Sequence, residues 1–240
     1  MSEMRRMLSY VRRAVDEYNM IEDGDRIAVG ISGGKDSLTL LEVLSEMRIF
    51  YPKKYELVAI TVDMGFEGVD FSEIKEFCRR LKVEYVIEKT EISKIIFDIR
   101  KEPNPCSLCA KMRRGSLHSA AQAAGCNKVA LGHHFDDAVE TFMMNLFFEG
   151  RLGCFSPKSY LSNRRLGLIR PMIYATEKDV KYFIGKRKLP VLVNPCPEDH
   201  ATEREKMKNL LSELERNNKG VKHRIFNAMC KGEIDGWKLK

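Results

Sequence analysis

Residues 32 to 37, with the sequence Ser-Gly-Gly-Lys-Asp-Ser, form a short segment whose composition is suited to binding an anion. They follow an apolar stretch, Ile27 to Ile31, and precede a helical pattern. Glycines let the backbone turn tightly, and the unpaired N–H groups of a helix N-terminus attract phosphate together with the helix dipole. The serines would add hydroxyl donors, Lys35 a positive charge, and Asp36 a carboxylate that holds Mg²⁺ or fixes the loop. The alternative is a strand-to-helix turn capped by Ser32.

A second candidate group consists of cysteines. Cys106 and Cys109 stand at the start of a helical pattern, and Cys196 follows far along the chain between two prolines. Thiolates at positions i and i+3 face one side of a helical turn and can share a metal centre. Three cysteines suit a four-iron cluster with one iron left for a non-protein ligand; a redox pair, a structural zinc site and unrelated core cysteines are the alternatives. The helix N-terminus and the basic residues after Cys109 are expected to lower the pKa of both thiols.

Polar residues also follow two of the predicted strands. Thr61-Val62-Asp63 closes the second strand, and the segment from Gly132 to Asp137 closes the fourth and opens a helix. In a parallel sheet, ligands bind at the carboxyl ends of the strands, so these residues are expected to line the binding site. Asp63 has an alternative interpretation as a cap of its own loop.

The segment after the fourth strand combines a glycine, two histidines and two acids. Gly132 permits the close approach of a nucleotide. Asp136 or Asp137 would cap the helix while facing the phosphates, where a carboxylate binds Mg²⁺ and offsets the charge of a leaving pyrophosphate. Adjacent histidines on a strand end do not point the same way. We therefore expect structural or substrate-contact roles for His133 and His134 rather than a metal pair.

The elements that must position these residues alternate along the chain. Apolar stretches predict strands at residues 26–31, 57–62, 83–87, 128–131 and 168–171, and helical periodicity predicts helices at residues 4–18, 37–50, 71–81, 106–124, 136–148, 177–188 and 203–217. This pattern indicates an α/β fold, with a mainly parallel sheet covered by helices on both faces and with N- and C-terminal helical extensions. The basic segment from Arg151 to Arg165 is expected to be a mobile loop, and Lys219 to Lys240 a solvated tail.

Composition limits the class of protein. The 240 residues include 41 Lys+Arg and 34 Asp+Glu, which gives a net charge of +7. Hydrophobic residues make up 44% and charged residues 31% of the chain, and this composition excludes a disordered or collagen-like chain. The sequence contains neither an apolar run near the ~18 residues that cross a bilayer nor a signal peptide pattern, so we expect a cytoplasmic protein without a membrane partner. Seven cysteines in such a chain argue against a disulfide framework. The positive balance favours a polyanionic partner such as nucleic acid.

The predicted organisation is one α/β domain with helical extensions. It divides into an N-terminal helix (residues 1–22), a nucleotide-binding domain with the cysteine site (23–200) and a C-terminal helical, basic tail (201–240). Outside the candidate site, Cys78 and Cys126 are expected to be core or helix-face residues. Cys154, in a basic loop, is open to interpretation as a reactive or substrate-proximal thiol.

The combined motifs resemble a known family. Residues 32–37 after a strand resemble the PP-loop of the ATP pyrophosphatases, which have an adenine nucleotide alpha hydrolase-like fold. Over roughly residues 24–200 the chain is similar to the TtcA family of tRNA 2-thiocytidine synthetases. The segments that carry this similarity are, in order, the loop, Cys106–Gly115, Leu131–Asp137, Arg170–Met172 and Asn194–Pro197. The extra paired-cysteine zinc modules of related 2-thiouridine enzymes have no counterpart here.

The resemblance implies a reaction. The loop would grip the pyrophosphate of ATP, backbone groups of Thr61-Val62-Asp63 would bond the adenine, and Mg²⁺ would assist adenylation of the C2 carbonyl of a cytidine in a tRNA anticodon loop before sulfur replaces the oxygen. A [4Fe–4S] cluster on three cysteines would carry the sulfide; a persulfide on Cys106 or Cys109 is the alternative. The metal ligands implied are Cys106, Cys109 and Cys196. The catalytic candidates are Asp36, Arg113 and Asp136. The ATP-binding candidates are Ser32, Gly33, Gly34, Lys35, Ser37, Thr61, Val62, Asp63 and Gly132.

An anticodon loop would need basic and aromatic contacts. The RNA-binding candidates are Arg114, Arg151, Arg164, Arg165 and Arg170, with the basic residues 186–188 as further ones. Phe135, Phe155 and Tyr160 are candidates to stack on unpaired bases. For each basic residue taken singly, a role in solubility is an equally good explanation. For each aromatic residue, packing in the core is an equally good explanation. The partners expected are tRNA and a sulfur donor (a cysteine desulfurase or free sulfide). A homodimer is a further possible assembly.

Other functions compete with sulfur transfer. A lysidine synthetase also adenylates a cytidine C2 oxygen but would leave Cys106, Cys109 and Cys196 without a role. A non-catalytic RNA-binding module with iron–sulfur or zinc would not need the phosphate loop. A small-molecule PP-loop enzyme is opposed only by the basic surplus.

Overall fold

The computed structural model describes residues 2–101, 105–193, 196 and 203–238. The strands in these ranges are β1 (Asp25–Gly30), β2 (Tyr55–Asp63), β3 (Glu84–Lys89), β4 (Lys128–Ala130), β5 (Lys158–Leu161) and β6 (Leu166–Ile169). The helices are α1 (Glu3–Glu17), α2 (Lys35–Phe50), α3 (Ser72–Arg80), α4 (Ile92–Lys94), α5 (Pro105–Ala123), α6 (Phe135–Phe148), α7 (Glu177–Arg187), α8 (Glu203–Asn217) and α9 (Val221–Lys231). A π-helical turn, Ile95–Ile99, continues α4, and a 3-10 turn, Ile234–Gly236, follows α9.

The strands form one sheet in the order β3-β2-β1-β4-β6-β5. All neighbouring pairs are parallel except β5, which runs antiparallel to β6 at the edge. The predicted fold class, α/β with a mainly parallel sheet, is confirmed. The carboxyl ends of β1, β2 and β4 meet at the same edge, and the motifs that follow these strands meet there too.

Alternation along β1 distributes its side chains between two apolar layers. Ile27 and Val29 belong to the larger buried cluster, which also contains residues of α1, α2, α3 and α6 to α9. Ala28 points to the opposite face, where Ala120 and Ala121 of α5 cover the sheet. Because successive strand residues face opposite sides, a run as apolar as Ile27 to Ile31 is what a strand covered on both faces requires. α5 therefore carries the cysteine pair on the face opposite α2.

The segment between Arg151 and Arg165 differs from the expectation of a mobile loop. Residues Lys158–Leu161 form β5, whose residues are alternately exposed and half-buried. This edge strand lacks the apolar run that marks the other strands, so hydrophobicity alone did not predict it. Strand β6 begins at Leu166 rather than at residue 168, because Leu166 pairs with Leu161 of β5.

The expectation of a solvated tail after Lys219 is also wrong. α9 buries Phe226 and Met229, and the chain's one tryptophan, Trp237, is completely buried. The Trp237 indole N–H donates a hydrogen bond to the Phe155 carbonyl at 2.8 Å, and its ring packs edge-on against Tyr18 and Phe226. The C-terminal residues thus complete the main core. The division of the chain at residues 22 and 200 stays a prediction.

None of the helices in the described ranges has the length and apolar composition that spanning a bilayer requires.

Replacing Trp237 by alanine tests whether the C-terminal segment completes the core. We expect Trp237→Ala to lower the free energy of unfolding by about 3–5 kcal/mol, because it leaves a large cavity and removes the partner of the Phe155 carbonyl. Chemical denaturation followed by circular dichroism measures the change. Tyr160→Ala, on an exposed ring, is the matched control and should cost less than about 1 kcal/mol. Equal effects of the two variants would contradict this role.

Candidate active site

The phosphate loop lies between the end of β1 and the first turn of α2. Gly33 adopts a left-handed conformation (φ 80°), which glycine adopts without strain. The Ser32 N–H donates to Ser37 Oγ at 3.2 Å, and the Gly34 N–H donates to Ser32 Oγ at 3.3 Å. Ser37 Oγ in turn donates to the Gly34 carbonyl at 3.0 Å. The two serine hydroxyls therefore hold the loop in a turn that opens onto the helix N-terminus.

Gly132, at the end of β4, packs directly against this helix start. A Cβ at position 132 would lie 3.0 Å from the Asp36 carbonyl carbon and 3.1 Å from the Ser37 nitrogen. Both atoms are backbone atoms that cannot turn aside, so a side chain at this position would push α2 away from the sheet. Glycine is needed here for close packing of strand and helix, in addition to any contact with a nucleotide.

Lys35 lies among acidic side chains. Its ammonium is 2.9 Å from Asp36 Oδ2 and 3.5 Å from Glu177 Oε1, and Lys208 of α8 approaches the same Glu177 oxygen at 2.9 Å. Burial acts to raise the pKa of Glu177, but the hydrogen bond and charge of Lys208, followed by the charge of Lys35, lower it to about 2. Burial likewise acts to lower the pKa of Lys35, yet Asp36 and Glu177 raise it. Lys35 therefore carries a positive charge at the loop.

Asp36 presents an oxygen without a partner. Among the described residues, no donor lies within hydrogen-bond distance of its buried Oδ1. The nearest polar group is His134 Nε2 at 3.6 Å. Since His134 Nδ1 accepts the Asp137 N–H at the start of α6, the hydrogen-bond pattern assigns the imidazole proton to Nε2, facing Asp36. His134 caps α6 and at the same time faces the carboxylate.

Asp136, a catalytic candidate, lies behind the loop. Its two oxygens accept from Lys222 Nζ at 2.8 Å and from the Glu177 N–H at 2.7 Å, and the side chain lies outside both chambers of the cleft. Asp137 closes a capping box with His134, and burial raises its pKa. Asp136 is therefore turned away from the loop by its bonds to Lys222 and to the start of α7. Asp137 caps α6, as predicted, and remains near enough for its charge to act on Lys35 and Asp36.

The cysteines line a chamber of about 400 Å³ that opens beside the phosphate loop. Cys106 and Cys109 come from the first turn of α5, and Cys196 from the segment after α7. The chamber also contains Ser32, Gly34, Thr61, Val62, Asp63 and Arg113. The three thiols and the loop therefore share one cavity.

The pKa of the Cys109 thiol differs from the expectation. Burial raises it; the charge of Arg113 lowers it, and the neighbouring Cys196 and Cys106 raise it further. The basic residues after the pair thus do not outweigh desolvation. Cys109 Sγ also lies 3.9 Å from Met64 Sδ. In the described part of the chain, no three His, Cys, Asp or Glu side chains are assembled as a closed metal-binding group.

A second chamber, of about 350 Å³, adjoins the first. Ser32, Val62, Ala110 and Arg113 line both chambers, so Arg113 stands at their boundary. Asp36, Ser37, Arg114, His118, Gly132 and His133 also line the second chamber. Burial, with the charge of Arg170, lowers the pKa of His133 to about 3 and keeps its imidazole neutral.

Residues of the second β strand form one wall of the cysteine chamber. Thr61 is buried, and its hydroxyl accepts from Tyr85 at 3.0 Å. Asp63 Oδ1 accepts the Gly65 N–H at 2.9 Å, which is the loop cap foreseen as the alternative for this residue. Val62 lines both chambers.

The RNA-binding candidates fall into two groups. Arg114, Arg151 and Arg165 are exposed, and Arg164 is half-buried and donates to Ser119 Oγ at 3.0 Å. Arg170 is buried, lies over the Phe155 ring and donates to the Ser156 carbonyl, and burial lowers its pKa to about 10. Arg170 is thus part of the interior and was wrongly expected to grip phosphates at the surface.

The aromatic candidates and the remaining cysteines are mostly internal. Phe135 lies in the core and Phe155 packs on His133, so only Tyr160 of the three rings is exposed. Cys154 is buried, its thiol donates to the Ala138 carbonyl at 3.5 Å, and burial raises its pKa to about 12. This excludes the interpretation of Cys154 as an accessible reactive thiol. Cys78 and Cys126 are buried, as predicted.

Sequence reasoning missed several residues of the site. Glu177, Lys208 and Lys222 belong to no motif, and only the fold brings them to the loop. His118 had a detectable signal, because it follows Arg114 by four residues and therefore lies on the same face of α5.

Comparison with known proteins identifies relatives that match most of the chain. A PP-loop domain model matches residues 7–214. The tRNA-cytidine(32) 2-sulfurtransferase of Geobacter sulfurreducens is 41% identical over 94% of this chain and 89% of its own length, and that of Citrifermentans bemidjiense is 42% identical over 93% and 89%. Among solved structures, the U34-tRNA thiolase NcsA from Methanococcus maripaludis with its [4Fe–4S] cluster matches with a TM-score of 0.80 at 27% identity, over 95% of this chain and 77% of that one.

The low pKa of Glu177 predicts a pH-dependent contribution to stability. A carboxyl whose pKa is lower in the folded than in the unfolded chain stabilises the fold above its unfolded pKa, and this stabilisation is lost as the pH falls towards the folded value. We expect Glu177→Gln to lower the free energy of unfolding by about 1–2 kcal/mol near neutral pH. The difference from wild type should shrink as the pH falls from 4.5 towards 2.

Urea unfolding at a series of pH values measures this difference. Glu149→Gln, which changes an exposed carboxylate paired with Arg151, is the matched control and should have little effect. A Glu177→Gln effect that stays constant over the acidic range would contradict the assignment.

Proposed function

The chain belongs to the PP-loop family and, within it, to the TtcA family of tRNA 2-thiocytidine synthetases, and from this membership we propose that it adenylates and then thiolates a cytidine of tRNA. It is a tRNA sulfurtransferase. One observation carries the proposal for this chain's own site: the phosphate loop and three cysteines line one cleft, with Arg113 at the boundary of its two chambers.

The loop supplies what a triphosphate needs. The backbone N–H groups at the start of α2 are unpaired within the helix and carry the positive end of its dipole. Lys35 is ionised and only 28% exposed, and its bond to Asp36 can be exchanged for a phosphate oxygen. In this proposal Ser32, Gly33, Gly34, Lys35 and Ser37 bind the phosphates, and Thr61, Val62, Asp63 and Gly132 surround the nucleoside.

The residues present fit a magnesium ion at Asp36. Its buried Oδ1 has no hydrogen-bond donor among the described residues, as expected of a carboxylate oxygen whose partner is a cation. Mg²⁺ prefers carboxylate, phosphate and water oxygens, and Asp36 is within one residue of the loop lysine. When bound, the ion would neutralise charge on the phosphates. Asp136 is already bonded to Lys222 and the Glu177 N–H, so we do not include it among the ligands.

The cysteines fit an iron–sulfur cluster by their donor chemistry. The thiols of Cys106, Cys109 and Cys196 line one cavity and are close enough for two of them to raise the pKa of the third. Three thiolates leave one position of a [4Fe–4S] cluster without a protein ligand. When bound, the cluster would offer that position to sulfide. The thiols must lose their protons on ligation, and the charge of Arg113 favours this loss by opposing the effect of burial, which raises the pKa of Cys109.

The chemistry then proceeds in two substitutions. The C2 oxygen of the cytidine attacks the α-phosphorus of ATP, and pyrophosphate leaves. Hydrosulfide next attacks C2, the C–O bond breaks, AMP leaves, and the proton carried in by hydrosulfide is released to solvent, so that no net oxidation occurs. The chain positions the groups: the N-terminus of α2 and Lys35 stabilise the leaving pyrophosphate, and Arg113 stands where charge develops between the two chambers.

The tRNA must present its base unpaired. Flipping costs least in a single-stranded loop, and the basic groups around the cleft would hold the flanking phosphates. Arg114 lines the second chamber, and we propose it as a contact close to the flipped base. Arg164 and Arg165 lie in the turn between β5 and β6, at the amino end of β6 and away from the cleft. We propose these two and the exposed Arg151 as contacts to more distant phosphates of the tRNA. The activity is proposed to be cytoplasmic. A cysteine desulfurase or free sulfide as the donor, and a homodimer, stay predictions.

Asp36→Asn and Cys196→Ser separate the two halves of the site. Asp36→Asn removes the charge that holds the cation, so pyrophosphate release with tRNA should fall by about two orders of magnitude or more while the cluster is retained. Cys196→Ser should lose the visible absorbance and iron of the anaerobically reconstituted protein while ATP still binds. Sulfur insertion should be lost in both. Normal 2-thiocytidine formation in either variant, measured by nucleoside mass spectrometry, would contradict the proposal.

The RNA contacts predict a salt dependence. The affinity for tRNA should fall steeply with salt, and Arg164→Ala and Arg165→Ala should each reduce the slope of log K against log salt by about 1. Arg170→Ala, in the interior, should leave that slope unchanged. Filter binding over a range of salt concentrations measures the slopes. A slope lowered by Arg170→Ala, or unaffected by the two surface variants, would show that these residues are assigned wrongly.

A further inference from the structure

The segment that begins at α7 and leads to Cys196 contacts the phosphate loop at two points. At its start, the Glu177 carboxylate is 3.5 Å from the Lys35 ammonium. Beyond the end of α7, the Leu192 N–H donates a hydrogen bond to the Gly33 carbonyl at 3.0 Å. Cys196 follows four residues later and lines the chamber that Ser32, Gly34 and Leu192 also line. One stretch of chain therefore holds the loop and carries the third thiol.

The Leu192–Gly33 hydrogen bond fixes a peptide plane of the loop. In a trans peptide the carbonyl and the following N–H point in opposite directions. With the Gly33 carbonyl held by Leu192, the Gly34 N–H must point the other way, where it donates to Ser32 Oγ at 3.3 Å. Gly33 itself gives little resistance to rotation, since glycine is permissive about φ and ψ. The orientation of the first donor of the loop thus depends on Leu192.

The Leu192 side chain adds a steric contact. A Cβ built on Gly33 would lie 3.0 Å from Leu192 Cβ and from Leu192 Cδ1, so this side chain covers Gly33 closely. A displacement of Leu192 would therefore both break the hydrogen bond and uncover the loop. The neighbouring Val191 makes its backbone bond to Leu189 instead and does not line the chamber.

We propose that Leu192 is a positioning residue that couples the metal centre at Cys196 to ATP binding. The inference rests on the proposed function, because it requires a cluster bound through Cys196. Ligation of Cys196 fixes the position of Leu192, which sets the Gly33–Gly34 peptide before ATP arrives, so ATP has less conformational entropy to remove. By linkage, bound ATP must strengthen retention of the cluster by the same factor.

The coupling is measured by equilibrium binding without tRNA. We expect ATP to bind the reconstituted cluster-containing protein about tenfold more tightly than the metal-free protein, within the 5- to 150-fold range of such couplings. Saturating ATP should raise the chelator concentration that removes half of the iron by a similar factor. Neither readout requires turnover.

Two changes at Leu192 test its role. Leu192→Pro removes the N–H donor, and replacement of Leu192 by its α-hydroxy analogue removes the donor while keeping the side chain, which covers the case in which the proline variant does not fold. Both should reduce the tenfold coupling to less than about twofold. Val191→Ala, one residue away, is the matched control and should retain the coupling.

The outcomes distinguish this inference from the proposed function. Equal ATP affinities with and without the cluster would overturn the coupling while leaving the thiolation reaction intact. Full coupling in the α-hydroxy variant would overturn the role of Leu192. A chain that binds no ATP, or no iron–sulfur cluster, would overturn the proposed function together with the coupling.

Discussion

Close packing between Gly132 and the first turn of α2 is the constraint on which the site depends. The end of β4 touches the backbone at Asp36 and Ser37 with no space for a side chain, so the start of the helix has one position relative to the sheet. That position directs the unpaired N–H groups of α2 to the edge where β1, β2 and β4 end. The two chambers beside the loop, one with the thiols and one with His118 and His133, follow from this placement.

Charge is distributed unevenly around this edge. Behind the loop, the acids of α6 and α7 are paired with cations from the C-terminal helices, as in the contacts of Lys222 with Asp136 and of Lys208 with Glu177. In front of it, Arg113 and Arg114 line the cleft without such acids among the ion pairs of the described residues. The C-terminal helices thus neutralise the acids behind the loop, and the cleft itself remains attractive to phosphate.

The sequence predicted what local chemistry dictates. Apolar runs gave the parallel strands, and the spacing of glycines, serines and cysteines gave the residues of the cleft. It did not predict β5, an edge strand of mixed polarity, or the packing of Trp237, which depends on a distant carbonyl. The orientation of Asp136 was missed for a related reason: a carboxylate next to a phosphate loop is free to face it or to fix a helix, and only the presence of Lys222 decides. The pKa of Cys109 was misjudged because burial is a property of the folded chain.

The pairing of Glu177 and Asp136 with Lys208 and Lys222 has a consequence for biosynthesis. A ribosome makes the phosphate loop early and these two lysines much later. Until α8 and α9 have emerged, Asp136 lacks the charge of Lys222, and Glu177 has only Lys181 and Lys35 as cationic partners. The C-terminal helices thus contribute twice to the site, since they complete the apolar core and supply the cations that offset the acids behind the nucleotide cradle.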